Sequence, residues 1–225
     1  MKYDLVIFDC DGVLVDREPI ANRIFAELIN SLGYNFSYEE CEGMFTGRSD
    51  NNCLKILEER TGKKPPKDLF SKFDELAFEA YERELQSVEG VKEIISLLKF
   101  NDFCMASNAP EKKIHKALKV TGLYPEFENK FFSCSMVARP KQFPDLFLYA
   151  AMKMNASPKK CVVIEDSPFG VNAAISAGMD VFGYCARTDQ EILKKAGAET
   201  FNDMALLKEF LGISPVGTQH SKLKT

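Results

Sequence analysis

Leu5-Val6-Ile7-Phe8-Asp9-Cys10-Asp11-Gly12 decides the fold, because four apolar residues run directly into two acids and a glycine. So short an apolar run reads as a strand buried on both faces. In a strand, side chains at i and i+2 leave the same face, so Asp9 and Asp11 are presented together where the strand stops. Gly12 lets the chain turn sharply beside them. Buried charge is costly unless it is paired or bound to a cation. Either the acids cap a strand-to-helix turn, or they face a divalent cation with one carboxylate left free to attack.

Outward from this stretch, strands are expected at Leu5–Phe8, Phe103–Ala106, Phe131–Cys134, Val162–Ile164 and Val181–Cys185. Between the later ones lie helical spacings: Val91/Ile94/Ile95/Leu98, Ile114/Ala117/Leu118 and Leu146/Phe147/Ala150/Met154. This alternation predicts an α/β fold, a Rossmann-like parallel sheet covered on both faces. The first two strands are separated by residues 16–85, with three helical patterns and no strand: Ile20/Ile24/Phe25/Leu28, one around Leu54/Leu57, and Phe70/Phe73/Ala77/Tyr81. The expected organisation is an α/β core of residues 1–15 and 86–225 with a helical cap at 16–85, hinged at two connecting segments. The tail from Ser214 to Thr225 is expected to be loose.

Composition narrows the function. The chain has 225 residues, 45% hydrophobic and 28% charged, with net charge −4. It offers no global basic field for nucleic acid or an anionic membrane. No apolar run approaches the ~20 residues that span a bilayer. Met1-Lys2-Tyr3-Asp4 leads straight into a strand, so no signal peptide is expected. The seven Cys are scattered without a C-x-x-C pair and read as small buried hydrophobes in a reducing cytoplasm. Monomer is the default for a cap that must swing.

Ligands of open parallel sheets bind at the carboxyl ends of the strands. The second strand ends in Ser107-Asn108-Ala109-Pro110-Glu111, a helix start and so an anion site. The fourth ends in Glu165-Asp166-Ser167-Pro168. Each alone reads equally as a cap; together they bring carboxylates and a hydroxyl to one sheet edge, a donor set suited to Mg²⁺. Lys141 or Arg139, after the third strand, can supply a cation for a phosphate, and Lys112 can help attract it. His115 is expected to be exposed.

These residues resemble the haloacid dehalogenase superfamily, in its β-phosphoglucomutase-like phosphatase and phosphomutase branch. The resemblance rests on Asp9-x-Asp11-Gly12-Val13-Leu14-Val15-Asp16, Ser107-Asn108, a Lys before Pro144-Asp145, and Glu165-Asp166-Ser167-x-x-Gly170. It implies that Asp9 is a nucleophile forming an aspartyl-phosphate and Asp11 the general acid and base. It implies Mg²⁺ on Asp9, the Asp11 carbonyl, Asp166 and Glu165, with Ser107, Asn108 and Lys141 holding phosphate. Three departures stand out. The third motif is Pro140-Lys141-Gln142-Phe143-Pro144-Asp145 instead of Gly-Lys-Pro-x-Pro-Asp. Arg17 and Ala21 replace a Ser or Thr and a His. Asp50 takes the place of a cap Arg, with Arg48 nearby. Arg17, Arg48 and Ser49 are the candidate cap contacts.

The expected activity is Mg²⁺-dependent hydrolysis of a small phosphorylated metabolite, a sugar phosphate or sugar-acid phosphate such as a phosphogluconate. The alternative is a β-phosphoglucomutase-like phosphomutase, which needs the second phosphate grip that those departures weaken. Asp11 argues against haloacid dehalogenation. No Cys has an Arg six residues later for thiol-phosphatase chemistry, and the long insert argues against a phospho-receiver.

Overall fold

The computed structural model of the chain describes residues 2–46 and 48–213; the expectation for the tail from Ser214 lies outside them. After β1 (Leu5–Phe8) come four consecutive helices, α1 (Glu18–Ser31), α2 (Tyr38–Phe45), α3 (Asp50–Thr61) and α4 (Leu69–Glu84). The chain then alternates through α5 (Val91–Leu97), β2 (Asp102–Ser107), α6 (Glu111–Thr121), α7 (Tyr124–Phe127) and β3 (Phe131–Ser133). It continues with α8 (Asp145–Lys153), β4 (Cys161–Glu165), α9 (Pro168–Ser176), β5 (Asp180–Tyr184), α10 (Gln190–Ala196), β6 (Glu199–Phe201) and α11 (Leu207–Phe210).

All strand pairs are parallel, in the order β3-β2-β1-β4-β5-β6. Successive strand residues feed opposite layers, as a two-residue period requires. Val6, Phe8, Phe103, Met105, Val162 and Ile164 pack towards α5, α6 and α11. Leu5, Ile7, Cys104, Ala106, Cys161 and Val163 pack towards α8, α9 and α10. The strand order reverses at β1, whose neighbours are β2 and β4. A crevice at the carboxyl ends of β1 and β4 follows from that reversal.

The helical insert has a core of its own. Phe25, Ile29, Phe36, Cys41, Phe45 and Leu57 are buried together, with Phe25 edge-on to Phe45 at 5.0 Å and to Phe73 at 5.4 Å. The two segments joining it to the sheet lie side by side. Val15 bridges Ser87 in antiparallel fashion, and Val88 N–H donates to Leu14 O at 3.0 Å.

Several elements go beyond the sequence expectation, among them the short helices α7 and α11. The insert has four helices where three patterns were read, α2 being the addition. The sheet has a sixth strand, β6, at its edge. Cys134 does not extend β3 but opens a short 3₁₀ turn, and it and Cys185 are half-buried while the other five Cys are buried. His115 is not exposed: it is half-buried against the rings of Phe131 and Tyr124, at 4.8 and 5.2 Å.

Candidate active site

Asp9 directly follows β1, and its N–H donates to Ile164 O of β4 at 2.9 Å. That register sets it beside Glu165, the last residue of β4, and Asp166. One carboxylate oxygen from each of Asp9, Glu165 and Asp166 lies within 4.8 Å of the others. Two glycines make room for this grouping. A Cβ on Gly12, at φ +81°, would stand 1.8 Å from Asp166 Oδ2, and one on Gly170 would stand 1.9 Å from Glu165 Oε1. Ser167 caps α9 by accepting from Gly170 N–H at 3.1 Å, with Pro168 opening the helix. The cap and the acid pair are both present at the same turn.

Lys141 answers the carboxylates. Its Nζ donates to Asp9 Oδ1 at 2.5 Å and to Glu165 Oε1 at 3.4 Å, almost without solvent exposure. Burial favours the neutral amine, but Asp9 and Glu165 outweigh it and hold Lys141 above its usual range. Arg139 plays no part in this and instead forks onto Asp145 at 3.0 and 2.9 Å on the surface. One cation against three acids leaves the cluster short of positive charge. Burial, then Asp9, raises Glu165 to about 7. Burial, then Glu165 and Asp9, raises Asp166 to about 9. Glu165 Oε2 is buried with no hydrogen-bond partner. An unpartnered oxygen in an oxygen-only set fits a hard divalent cation, the group Mg²⁺ belongs to.

Asp11 stands apart from this cluster. Its two oxygens accept from Arg17 Nε and Nη2, each at 2.5 Å, so a metal contact through its carboxylate, as opposed to its main-chain carbonyl, does not arise here. Ser107 is buried at the end of β2, its hydroxyl accepting from Ala109 N–H at 3.0 Å. Asn108 lines the same cleft as Ser107 and also holds the Lys141 loop in place. Its amide accepts from the Lys141 N–H and donates to the Lys141 carbonyl, both at 2.9 Å.

These groups open into a cleft of about 1630 Å³ between the sheet edge and the insert. Arg17 lines it, whereas Arg48 and Ser49 do not. Arg48 is exposed at an adjoining recess of about 180 Å³ in the insert, which shares Glu18 and Thr46 with the cleft, and Ser49 is the N-cap of α3, accepting from Asn52 N–H. Lys113, not Lys112, reaches the cleft, donating to Asp74 of α4 at 2.8 Å, while Lys112 lies over the Phe78 ring. The sequence reading also missed Glu18, Glu42 and Arg187, which line the same cleft. Arg187 binds Asp16 at 2.5 Å and approaches Glu42 at 4.0 Å. No local pattern marks Arg187, which arrives from the loop after β5.

The family model described as haloacid dehalogenase-like hydrolase matches residues 3–178. The chain belongs to that family. It is 30% identical over 200 residues to a phosphorylated carbohydrates phosphatase of Thermotoga maritima, covering 87% of this chain and 92% of that protein. It is 28% identical over 209 residues to the 6-phosphogluconate phosphatase of Escherichia coli, covering 92% and 94%. Among solved structures, a putative β-phosphoglucomutase from Thermotoga maritima superposes with a TM-score of 0.82 at 26% identity, covering 93% of this chain and 98% of that one. The hydrolase family, the parallel sheet and the β-phosphoglucomutase-like likeness stand as the sequence suggests.

Proposed function

We propose that this hydrolase cleaves the phosphoric monoester of a small phosphorylated metabolite, a sugar phosphate or sugar-acid phosphate, through a phosphoenzyme on Asp9. It is a phosphoric monoester hydrolase, and the helical insert is its cap. The observation that carries the reading is the separation of two carboxylates on one turn. Asp9 sits in the acid cluster against Lys141, while Asp11, two residues on, is outside it. The relatives' names add sugar phosphates as the substrate class.

An Asp9 oxygen attacks phosphorus as the bond to the sugar oxygen breaks, and Asp11 gives that oxygen its proton. Water then attacks the phosphorus of the Asp9 ester while Asp11 takes its proton back, and inorganic phosphate leaves with Asp9 restored. Lys141 and Ser107 bear on the phosphoryl oxygens, where charge must be held through both steps. Asp9, Glu165 and Asp166 would hold Mg²⁺, with the Asp11 carbonyl as a further ligand. Bound there, the ion neutralises the carboxylates and the phosphoryl group together. A mutase would additionally need a free cation facing the cleft. Beyond Lys141, the cations that line it, Arg17, Lys113 and Arg187, are each engaged by a carboxylate.

Phosphate release from a panel of sugar and sugar-acid phosphates, with Mg²⁺ and then with chelator, tests the reading. Asp9→Asn is expected to lose about a thousandfold or more in kcat, and chelator to stop the wild type reversibly. Full-speed turnover by Asp9→Asn sinks the proposal. Conversion of a hexose phosphate to its positional isomer faster than hydrolysis replaces it with the mutase.

A further inference from the structure

The fork between Arg17 and Asp11 repeats the surface fork of Arg139 on Asp145, but with a buried guanidinium. The Arg17 side chain is 10% exposed, and both carboxylate oxygens of Asp11 are engaged, one by Nε and one by Nη2. The Tyr81 ring of α4 lies 5.9 Å from the guanidinium carbon. Asp11 belongs to the turn after β1, whereas Arg17 immediately precedes α1 and its carbonyl accepts from Ala21 N–H at 2.9 Å. The fork therefore spans the junction of sheet and insert, with its base fixed by the first and last helices of the insert.

We infer that Arg17 is the positioning residue of Asp11, setting the rotamer and plane of the acid–base carboxylate from the insert side. The inference rests on the phosphatase reading above. A single hydroxyl at this place, as a Ser or Thr would supply, could hold one oxygen and leave the carboxylate plane free. A bidentate guanidinium fixes both oxygens and the plane at once, which an ammonium cannot do. Both Asp11 oxygens accept from Arg17 here, so one of them must leave the fork to carry the proton that the leaving oxygen receives. Arg17 does not act on the phosphate itself; its effect passes through Asp11.

The test compares p-nitrophenyl phosphate with p-nitrobenzyl phosphate in the full-length protein with Mg²⁺. The two differ by one methylene, but a nitrophenolate departs without a proton and a benzyl alkoxide does not. Since kcat/KM covers steps up to loss of the leaving group, only the benzyl ester reports on the acid. Arg17→Met, which keeps the aliphatic stem, is expected to lower kcat/KM for the benzyl ester about 10- to 100-fold and for the aryl ester less than about threefold. Arg17→Lys is expected to behave like Arg17→Met. An equal fall on both esters marks a structural role and overturns the inference. So does no fall on either, or full recovery by Lys. If Arg17→Met does not fold, Arg17→Gln and Arg17→Lys carry the same comparison. Wild type that cleaves neither ester and releases no phosphate from the sugar phosphate panel refutes the phosphatase reading, a different result from loss of the contrast between esters.

Discussion

Gly170 lies in the first turn of α9, where alanine would normally be the better helix former by about 1 kcal/mol. Here an added Cβ would fall 1.9 Å from Glu165 Oε1, so the Glu165 side chain has to move. Gly170→Ala is expected to fold, yet to need at least about tenfold more Mg²⁺ for half-maximal activity, as loss of a shaped metal neighbour does; an unchanged Mg²⁺ titration would refute this. Lys141 and Arg139 make a second contrast. Lys141→Ala strips the buried acids of their cation and is expected to cost about a hundredfold or more in kcat/KM. Arg139→Ala removes only a surface pair with Asp145 and should stay within about threefold. At this scale the double Asp was legible as two acids at a strand end, but the shared face was not borne out: β1 stops at Phe8, and Asp11 is turned away from Asp9 into a fork with Arg17. Lys141 was legible as a candidate, but its choice over Arg139 depends on a loop held by Asn108, thirty-three residues back in the chain. The partner of Asp11 could not be read at all, since it depends on how the turn at Gly12 folds back to Val15.

Helix α4 presents Asp74, Phe78 and Glu82, spaced four apart and so on one face, to α6. There Lys113 pairs with Asp74, Lys116 with Glu82, and Lys112 covers Phe78. On the other side of the cleft, Arg187 ties the loop after β5 to Asp16 and to Glu42 of α2. The insert is thus braced by charge on both sides of two thin connections. Reversing two of these charges, Lys113→Glu with Lys116→Glu, is expected to speed proteolytic cleavage at the connections about three- to tenfold. Salt should accelerate cleavage of the wild type and slow that of the variant, whose like charges it screens; equal rates for both proteins would refute the bracing. The helices and strands with long apolar periods were legible in the sequence. Helix α2 was not, because its eight residues carry few apolar positions, although its capping box between Ser37 and Glu40 was a usable signal. Strand β6 is three residues at the sheet edge, too short for any period to emerge. The α4–α6 face escaped because the acids that pair with Lys113 and Lys116 lie 39 and 34 residues back in the chain, on another helix.

For the molecule as a whole, the acid cluster sets a relation between pH, metal and stability. Glu165 and Asp166, raised to about 7 and about 9 mainly by burial, bind protons more tightly folded than unfolded, where such carboxyls titrate near about 4. Stability from these two groups is therefore complete below about pH 4. It falls as pH rises, ending near 7 for Glu165 and near 9 for Asp166, because the native state holds the extra protons across that window. Lowered carboxyls elsewhere, such as Asp180 beside Tyr3 and Lys2, act in the opposite sense below that window, so the metal-linked part must be isolated. A divalent cation must displace the protons to bind. The rise in Tm on adding Mg²⁺ to chelated protein should then be small near about pH 5.5 and several-fold larger near about pH 8.5. Asp166→Asn, which removes the most perturbed charge, should raise the Tm of the chelated protein at the higher pH by a few degrees, since about 1 kcal/mol is worth ~2–4 °C in a chain of this size. It should at the same time flatten the Mg²⁺ response and depress turnover. A Mg²⁺-induced Tm shift that is equal at both pH values would mean that the three carboxylates are not where the cation binds, and the site would have to be sought elsewhere along the cleft.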